Sequence, residues 1–268
     1  MIGHAAAAVR NAVASSGFRR FGLPFARDYL RFAWKAARRW GHTGPGVLPW
    51  MGRRIRYGNQ TSALFLVHEI FAGGAYDFDA VRPDPVVVDC GANLGMSVLY
   101  FHMRYPRAHI VAVEPHPDAF RLLQENTAGL EGVELIRAAV TGAGEPTVLF
   151  APEGEGASLV SSVDSGWMGQ GSGIPVDGIR LSALLAGLGH VDFVKLDVEG
   201  AEYGIIRDCG APGVLDGVRE MAIEYHRTPS EPGGPDEIVA VLRDSGFQVT
   251  AVEGRSGKDG IIRARRTE

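Results

Sequence analysis

The stretch Pro85-Val86-Val87-Val88-Asp89-Cys90-Gly91-Ala92-Asn93-Leu94-Gly95-Met96-Ser97 constrains the fold more than any other. A short apolar run bounded by turn residues reads as a strand buried on both faces of a parallel sheet. An acid closes the run, small residues turn the chain, and a helical pattern starts near residue 94. Glycines at 91 and 95 allow a sharp turn and let a ligand lie against bare backbone. The helix behind them offers unpaired N–H donors and a partial positive charge.

The ligand class follows from the spacing. Three glycines at G-x-G-x-x-G would suit a pyrophosphate. Here the spacing is Asp-x-Gly-x-Asn-x-Gly, and Asp89 would repel that group. An acid at this place suits a cation. S-adenosylmethionine carries two, an α-ammonium and a sulfonium.

From residue 85 onward strands and helices alternate, which predicts a parallel sheet with helices on both faces. Strands are expected at 85–89, 109–114, 133–137, 191–197, 219–226, 247–252 and 260–264, with further extended stretches at 146–150 and 157–163. Helices are expected at about 94–104, 117–126, 181–186, 201–208 and 235–245. The last two strands are joined by a turn too short for a parallel crossover, so they pair antiparallel. Residues 166–173 read as a glycine-rich loop. A helix over 62–76 ends at Gly73-Gly74, where it is placed to cover a ligand.

Charge divides the chain. Residues 1–57 hold 11 Lys or Arg and one acid, Asp28, while the remainder holds 16 basic and 30 acidic residues. The first 57 residues are therefore read as a basic, partly amphipathic arm, and 58–268 as the domain with the chemistry. Residues 24–40 pattern as a helix with an aromatic face, and 41–49 as a linker. Such an arm packs on the acidic body of its own chain or of a second subunit, which is the route to a homo-oligomer. Two cysteines make no disulfide framework, so a reducing cytoplasm is the simplest location. No apolar stretch is long enough to span a membrane, and the Ala-rich start lacks the basic flank of a signal peptide.

Ligands in open α/β sheets bind beyond the carboxyl ends of the strands. Those ends carry Asp89, Glu114, Ala138-Ala139, Asp197 and Glu224-Tyr225-His226. Glu114 suits the paired hydroxyls of a ribose, and the backbone near Ala139 suits an adenine edge. Asp197 is expected to point into the cleft, with Glu199 and Glu202 on one helix face. Glu224 and His226 share a strand face. That pair can take a proton from an alcohol, or join Asp197 as ligands of a divalent metal such as Mg²⁺.

Taken together, Val88-Asp-Cys-Gly-Ala-Asn-Leu-Gly95, Val113-Glu-Pro-His-Pro117, Ala157-Ser-Leu159, Val194-Lys-Leu-Asp-Val-Glu-Gly-Ala-Glu202 and Ile223-Glu-Tyr-His226 resemble the FkbM family of S-adenosylmethionine-dependent methyltransferases. The resemblance extends over about 60–252. Glu69-Ile70-Phe71 and Tyr76 are similar to the family's segment before the core, which implies a place for Glu69 and Tyr76 beside the cofactor, along with Asp89, Gly91, Asn93, Gly95, Glu114 and Ala139. The family implies a Rossmann-like, class I sheet of seven strands with the last antiparallel, and O-methylation of a hydroxylated natural product or sugar. His226 is expected as the general base, oriented by Glu224 or Asp197. Two other readings compete: a non-catalytic S-adenosylmethionine-binding partner protein, and a nucleic-acid methyltransferase using the basic arm. The second lacks the Asn/Asp-Pro-Pro-aromatic motif usual where bases are methylated on nitrogen.

Overall fold

A computed structural model describes residues 15–38, 44–151, 162, 172–228, 234–254, 257 and 259–266. The first helix, α1 (Ser16–Arg38), begins eight residues earlier than its aromatic pattern predicts. Ser15 explains the early start, because its hydroxyl accepts the Phe18 N–H at 3.1 Å and satisfies one unpaired donor of the first turn. Gly22 at φ 62° puts a kink in α1 just before Pro24. The expected linker at 41–49 contains instead strand β1 (Gly46–Trp50), paired antiparallel with β2 (Arg53–Tyr57). Pro49 sits on the exposed side of this two-stranded hairpin, where a proline is tolerated. Met51 and Gly52 both take positive φ, as the tight hairpin turn requires. Helix α2 (Gln60–Leu66) then runs on into a π-helical turn, Val67–Gly73, closed by Gly74 in the left-handed conformation.

The sheet begins with β3 (Val86–Cys90), followed by α3 (Met96–Arg104), β4 (His109–Val113), α4 (Pro117–Thr127) and β5 (Val133–Ile136). Two small ladders come next. β6 (Ala139–Val140) pairs with β9 (Gly178–Ile179), and β7 (Thr147–Ala151) with β8 (Ser172–Val176). The expected strand at 157–163 lies outside the described residues except Ser162, which bridges to Phe150. Of the expected glycine-rich loop, the described end, residues 172 and 173, belongs to β8. The chain continues through α5 (Leu181–Leu188), β10 (Val191–Leu196), α6 (Glu202–Cys209), β11 (Val218–His226), α7 (Pro235–Asp244), β12 (Gln248–Glu253) and β13 (Asp259–Arg265).

The central sheet has seven strands in the order β12-β13-β11-β10-β3-β4-β5. β13 is antiparallel to both neighbours, and the ladders from β11 to β5 are all parallel. This is the expected Rossmann-like arrangement. From β3 the chain winds outward through β4 and β5, then returns to wind the other way through β10 and β11. The crevice between β3 and β10 is therefore the switch point of the sheet. No described helix is long and apolar enough to cross a membrane.

The arm shares the core of the domain. Phe25, Tyr29, Phe32, Leu48, Trp50, Ile55 and Tyr57 are buried in one cluster with Phe71, Tyr100 and Phe101. Trp50 packs edge-on against Phe25 and Phe71 at centroid separations of 5.7 and 5.1 Å, and Phe71 against Tyr100 at 5.2 Å. Arg20–Asp77 and Arg56–Glu125 ion pairs, each at 2.9 Å, join the basic arm to acids of the body. Trp50→Ala is expected to cost about 3–5 kcal/mol. Urea unfolding should remain a single transition at a lower midpoint; a separate early transition would mean that the arm unfolds by itself.

Candidate active site

A cleft opens over the carboxyl ends of β3, β4, β10 and β11. Its wall includes Glu69, Gly91, Asn93, Ser97, Glu114, Ala139, Lys195, Asp197, Glu199 and Glu224. Phe65, Leu66 and Ile70 close it from the α2 side.

At one end the glycine turn meets Glu114. Gly91 sits at φ 83°, and a Cβ there would lie 1.8 Å from the Asp197 carbonyl oxygen, so no other residue fits. Asn93, at φ 49°, donates its N–H to Glu114 Oε2 at 2.8 Å, and His116 N–H donates to Oε1 at 2.8 Å. Burial pushes the Glu114 carboxyl up to about 7 despite these two donors. Each oxygen keeps a lone pair, so the carboxylate is oriented to accept two further hydrogen bonds.

Asp89 is not on the wall. It is fully buried; Ser97 Oγ donates to Oδ2 at 2.5 Å and Lys195 Nζ lies 3.2 Å from Oδ1. The expected contact with a cofactor ammonium is corrected accordingly: Asp89 holds Lys195. Gly95 also serves packing, starting α3 at φ 92° where a Cβ would meet Leu123 at 2.9 Å. Ala139 does lie on the wall, but its N–H donates to the Asp177 carbonyl and is not free for an adenine edge.

Lys195 was not singled out from sequence. Its ammonium donates to the Gly91 carbonyl at 2.8 Å and lies 3.3 Å from Asp197 Oδ2. Burial opposes its charge, but Asp89 and Asp197 outweigh that and hold the pKa above the usual lysine range. A lysine flanked by Phe193, Val194 and Leu196 in β10 was the available signal, since lysine is almost never fully buried unless paired.

At the other end four carboxylates face one space. Tyr76 is buried beneath them rather than on the wall, its hydroxyl 3.1 Å from Asp197 Oδ2 and 3.0 Å from Glu224 Oε2. Tyrosine has one proton to donate, so both contacts are satisfied at once when Glu224 carries a proton of its own. Burial and the neighbouring charge of Asp197 raise Glu69, Glu199 and Glu224 well above the ordinary carboxyl range. The π-helical turn presents Glu69 to this group.

His226 stands behind that wall. Nδ1 is 3.1 Å from Glu202 Oε1, and Nε2 is 3.4 Å from Glu199 Oε2 but 3.9 Å from Glu224 Oε1. Burial disfavours its charge, yet Glu202, Glu199 and Asp197 carry its pKa up to about 10. The expected base is thus an imidazolium at neutral pH, oriented by Glu202 rather than by Glu224 or Asp197. Glu202 also accepts the N–H groups of Val198 and Gly200 at 3.2 and 3.0 Å. Glu199 lies in the turn, at φ 55°, and not on the helix face expected for it. Gly200, at φ 106°, turns the chain between Glu199 and Glu202, and Glu202 reaches back over that turn to accept its N–H groups.

The expected metal ligands were Asp197, Glu224 and His226. The structure groups Asp197, Glu199 and His226, with ligand atoms within 4.8 Å of one another. A divalent ion held there would displace the proton of His226, because a ligating imidazole must be neutral.

The family model described as Methyltransferase FkbM domain matches residues 89–249. Methyltransferase sdnD of Sordaria araneosa is 28% identical over 78% of this chain and 92% of its own. The 31-O-demethyl-FK506 methyltransferase FkbM of Streptomyces tacrolimicus is 29% identical over 75% and 87%. The 2-O-methyltransferase NoeI of Sinorhizobium fredii is 28% identical over 54% and 64%.

The charge pattern gives a pH dependence. Glu224, Glu199 and Glu69 keep their protons in the folded chain above the ordinary glutamate value of 4.5, and Glu224 does so up to about 9. His226 keeps its proton from 6.5 up to about 10. Over these windows the folded state binds more protons than the unfolded one, so stability falls as pH rises. The melting temperature without ligand should fall from pH 5.5 to 8.5. Stabilisation by the cationic S-adenosylmethionine should grow over the same range; a flat difference would show that these acids do not sense the cofactor.

Proposed function

Because the chain belongs to the FkbM methyltransferase family, we propose that it transfers a methyl group from S-adenosylmethionine to a hydroxyl of a small natural product or sugar. The observation that carries this reading is the arrangement of a single cleft. Glu114 stands at one end, with both oxygens set by backbone N–H groups, and Asp197, Glu199 and Glu224 stand at the other. Two of the relatives above are named as O-methyltransferases.

The residues present fit the cofactor. Glu114 is placed to receive the ribose hydroxyls, and the bare backbone at Gly91 leaves room beside it. The carboxylates of the far end suit a positively charged sulfonium. When bound, S-adenosylmethionine supplies a methyl group already activated for displacement.

The chain then has two tasks. The first is alignment, which is worth roughly 7–11 kcal/mol when the reacting groups are held in line. Tyr76 and Lys195 fix Asp197, and Tyr76 fixes Glu224. The second task is to take the hydroxyl proton. Glu224 and Glu199 face the cleft; without ligand both hold protons at neutral pH, and the positive charge of a bound sulfonium favours the carboxylate form that a base requires. His226 supports Glu199 from behind as a fixed positive charge.

With methyl-deuterated S-adenosylmethionine and a panel of hydroxylated natural products and sugars, mass spectrometry should find the label on an acceptor oxygen. Glu224→Gln should lower turnover roughly 10²–10⁴-fold while keeping cofactor affinity within a few-fold. Equal turnover would remove Glu224 from the proton transfer. Exhaustive chelation should leave activity intact, and loss restored by Mg²⁺ would reinstate the metal-assisted route. Label appearing on no acceptor, with the cofactor bound, would favour a binding protein.

A further inference from the structure

Two distant parts of the chain meet on the short turn over residues 74–77. Arg263, on β13, donates from Nη1 to the Asp77 carbonyl at 2.7 Å. Its Nη2 donates to the carbonyls of Gly74, at 3.3 Å, and Ala75. From the other side α1 holds the Asp77 carboxylate, with Ser16 Oγ at 2.6 Å and Arg20 Nε at 2.9 Å. Asp77 N–H closes the turn on the Gly74 carbonyl at 3.0 Å. A Cβ on Gly74 would lie 2.7 Å from Asp77 Oδ2 and 2.8 Å from Ser16 Oγ, so the turn is packed as well as bonded.

This turn carries Tyr76, whose hydroxyl lies between Asp197 and Glu224 and whose ring lies 5.0 Å from Lys195 Nζ. Ser16, Arg20, Asp77 and Arg263 all fall outside the matched residues 89–249.

We propose that Arg263 is a positioning residue for methyl transfer, gathering three carbonyls of the 74–77 turn so that Tyr76 stays between Asp197 and Glu224. Three carbonyl dipoles converging on one point repel one another without a donor among them. A guanidinium answers all three, because its donors form a planar fork. A lysine offers a single point charge and leaves part of the set unanswered. Once the turn relaxes, the Tyr76 hydroxyl moves, and Asp197 and Glu224 lose the hydroxyl that bridges them. The acids that face the sulfonium are then misplaced, although no residue touching the cofactor has changed.

The inference rests on the S-adenosylmethionine reading of the cleft, and its test separates the two. The intact chain and its variants Arg263→Ala, Arg263→Lys, Tyr76→Phe and Arg263→Ala with Tyr76→Phe are titrated calorimetrically with S-adenosylmethionine and with S-adenosylhomocysteine, which lacks the sulfonium charge. Melting temperatures are recorded alongside. Arg263→Ala should weaken the charged ligand about tenfold and the neutral one less than about threefold, the scale of a small misplacement of aligned groups. Arg263→Lys should fall between, and Arg263→Ala should add little once Tyr76 is phenylalanine. Equal weakening of both ligands, or full additivity with Tyr76→Phe, would reduce Arg263 to a support of the fold. Should Arg263→Ala not fold, Arg263→Lys makes the same comparison. An intact chain with no affinity for S-adenosylmethionine overturns the cofactor reading itself, whereas an intact chain that binds it, with variants of unchanged ligand preference, overturns the positioning role alone.

Discussion

The ammonium of Lys195 is the interaction on which the site depends. It lies where β3 and β10 run side by side, 3.2 Å from Asp89 on one strand and 3.3 Å from Asp197 on the other. Two carboxylates at adjacent strand ends would repel each other in a medium of low dielectric. Lys195 turns that repulsion into a tie between strands, and through the Gly91 carbonyl it extends the tie to the glycine turn. Removing one member of such a group leaves the others buried and uncompensated, which is why buried charges of this kind act as a unit.

Much of this fold is legible in the sequence because periodicity is local. The mainly apolar strands β3, β4 and β10 and the short turn before β13 declare a parallel sheet with an antiparallel return. The β1–β2 hairpin was illegible because Gly46 and Pro49 read as breakers, and an edge position that tolerates proline is a tertiary fact. The site divides in the same way. Glu69, Gly91, Asn93, Glu114, Asp197 and Glu224 reach the cleft as their strand-end or motif positions imply. Asp89 and His226 do not, because their partners, Lys195 on β10 and Glu202 at the start of α6, come from other elements and no spacing rule reveals them.

The acid-rich end of the cleft explains itself as a cation site with two resident cations of its own. Lys195 and His226 place positive charge among these acids, while Glu69, Glu199 and Glu224 still hold protons more tightly than free carboxyls do. A bound sulfonium adds a third positive charge to the same group. On the proposed reading, the carboxylates that orient the donor and those that take the acceptor proton form one electrostatic unit, in which binding of the cationic cofactor lowers the proton affinity of the base.

The π-helical turn Val67–Gly73 sets Glu69 on the cleft by count rather than by composition. Deleting one residue from it would restore ordinary helical winding and rotate everything upstream by about 100°. Glu69 would then face another neighbour while Gly74 and Tyr76 stayed in place. This segment can therefore exchange side chains in the course of evolution, but it cannot readily change its length, and an insertion or deletion between Gln60 and Gly74 marks a relative whose cleft is built differently.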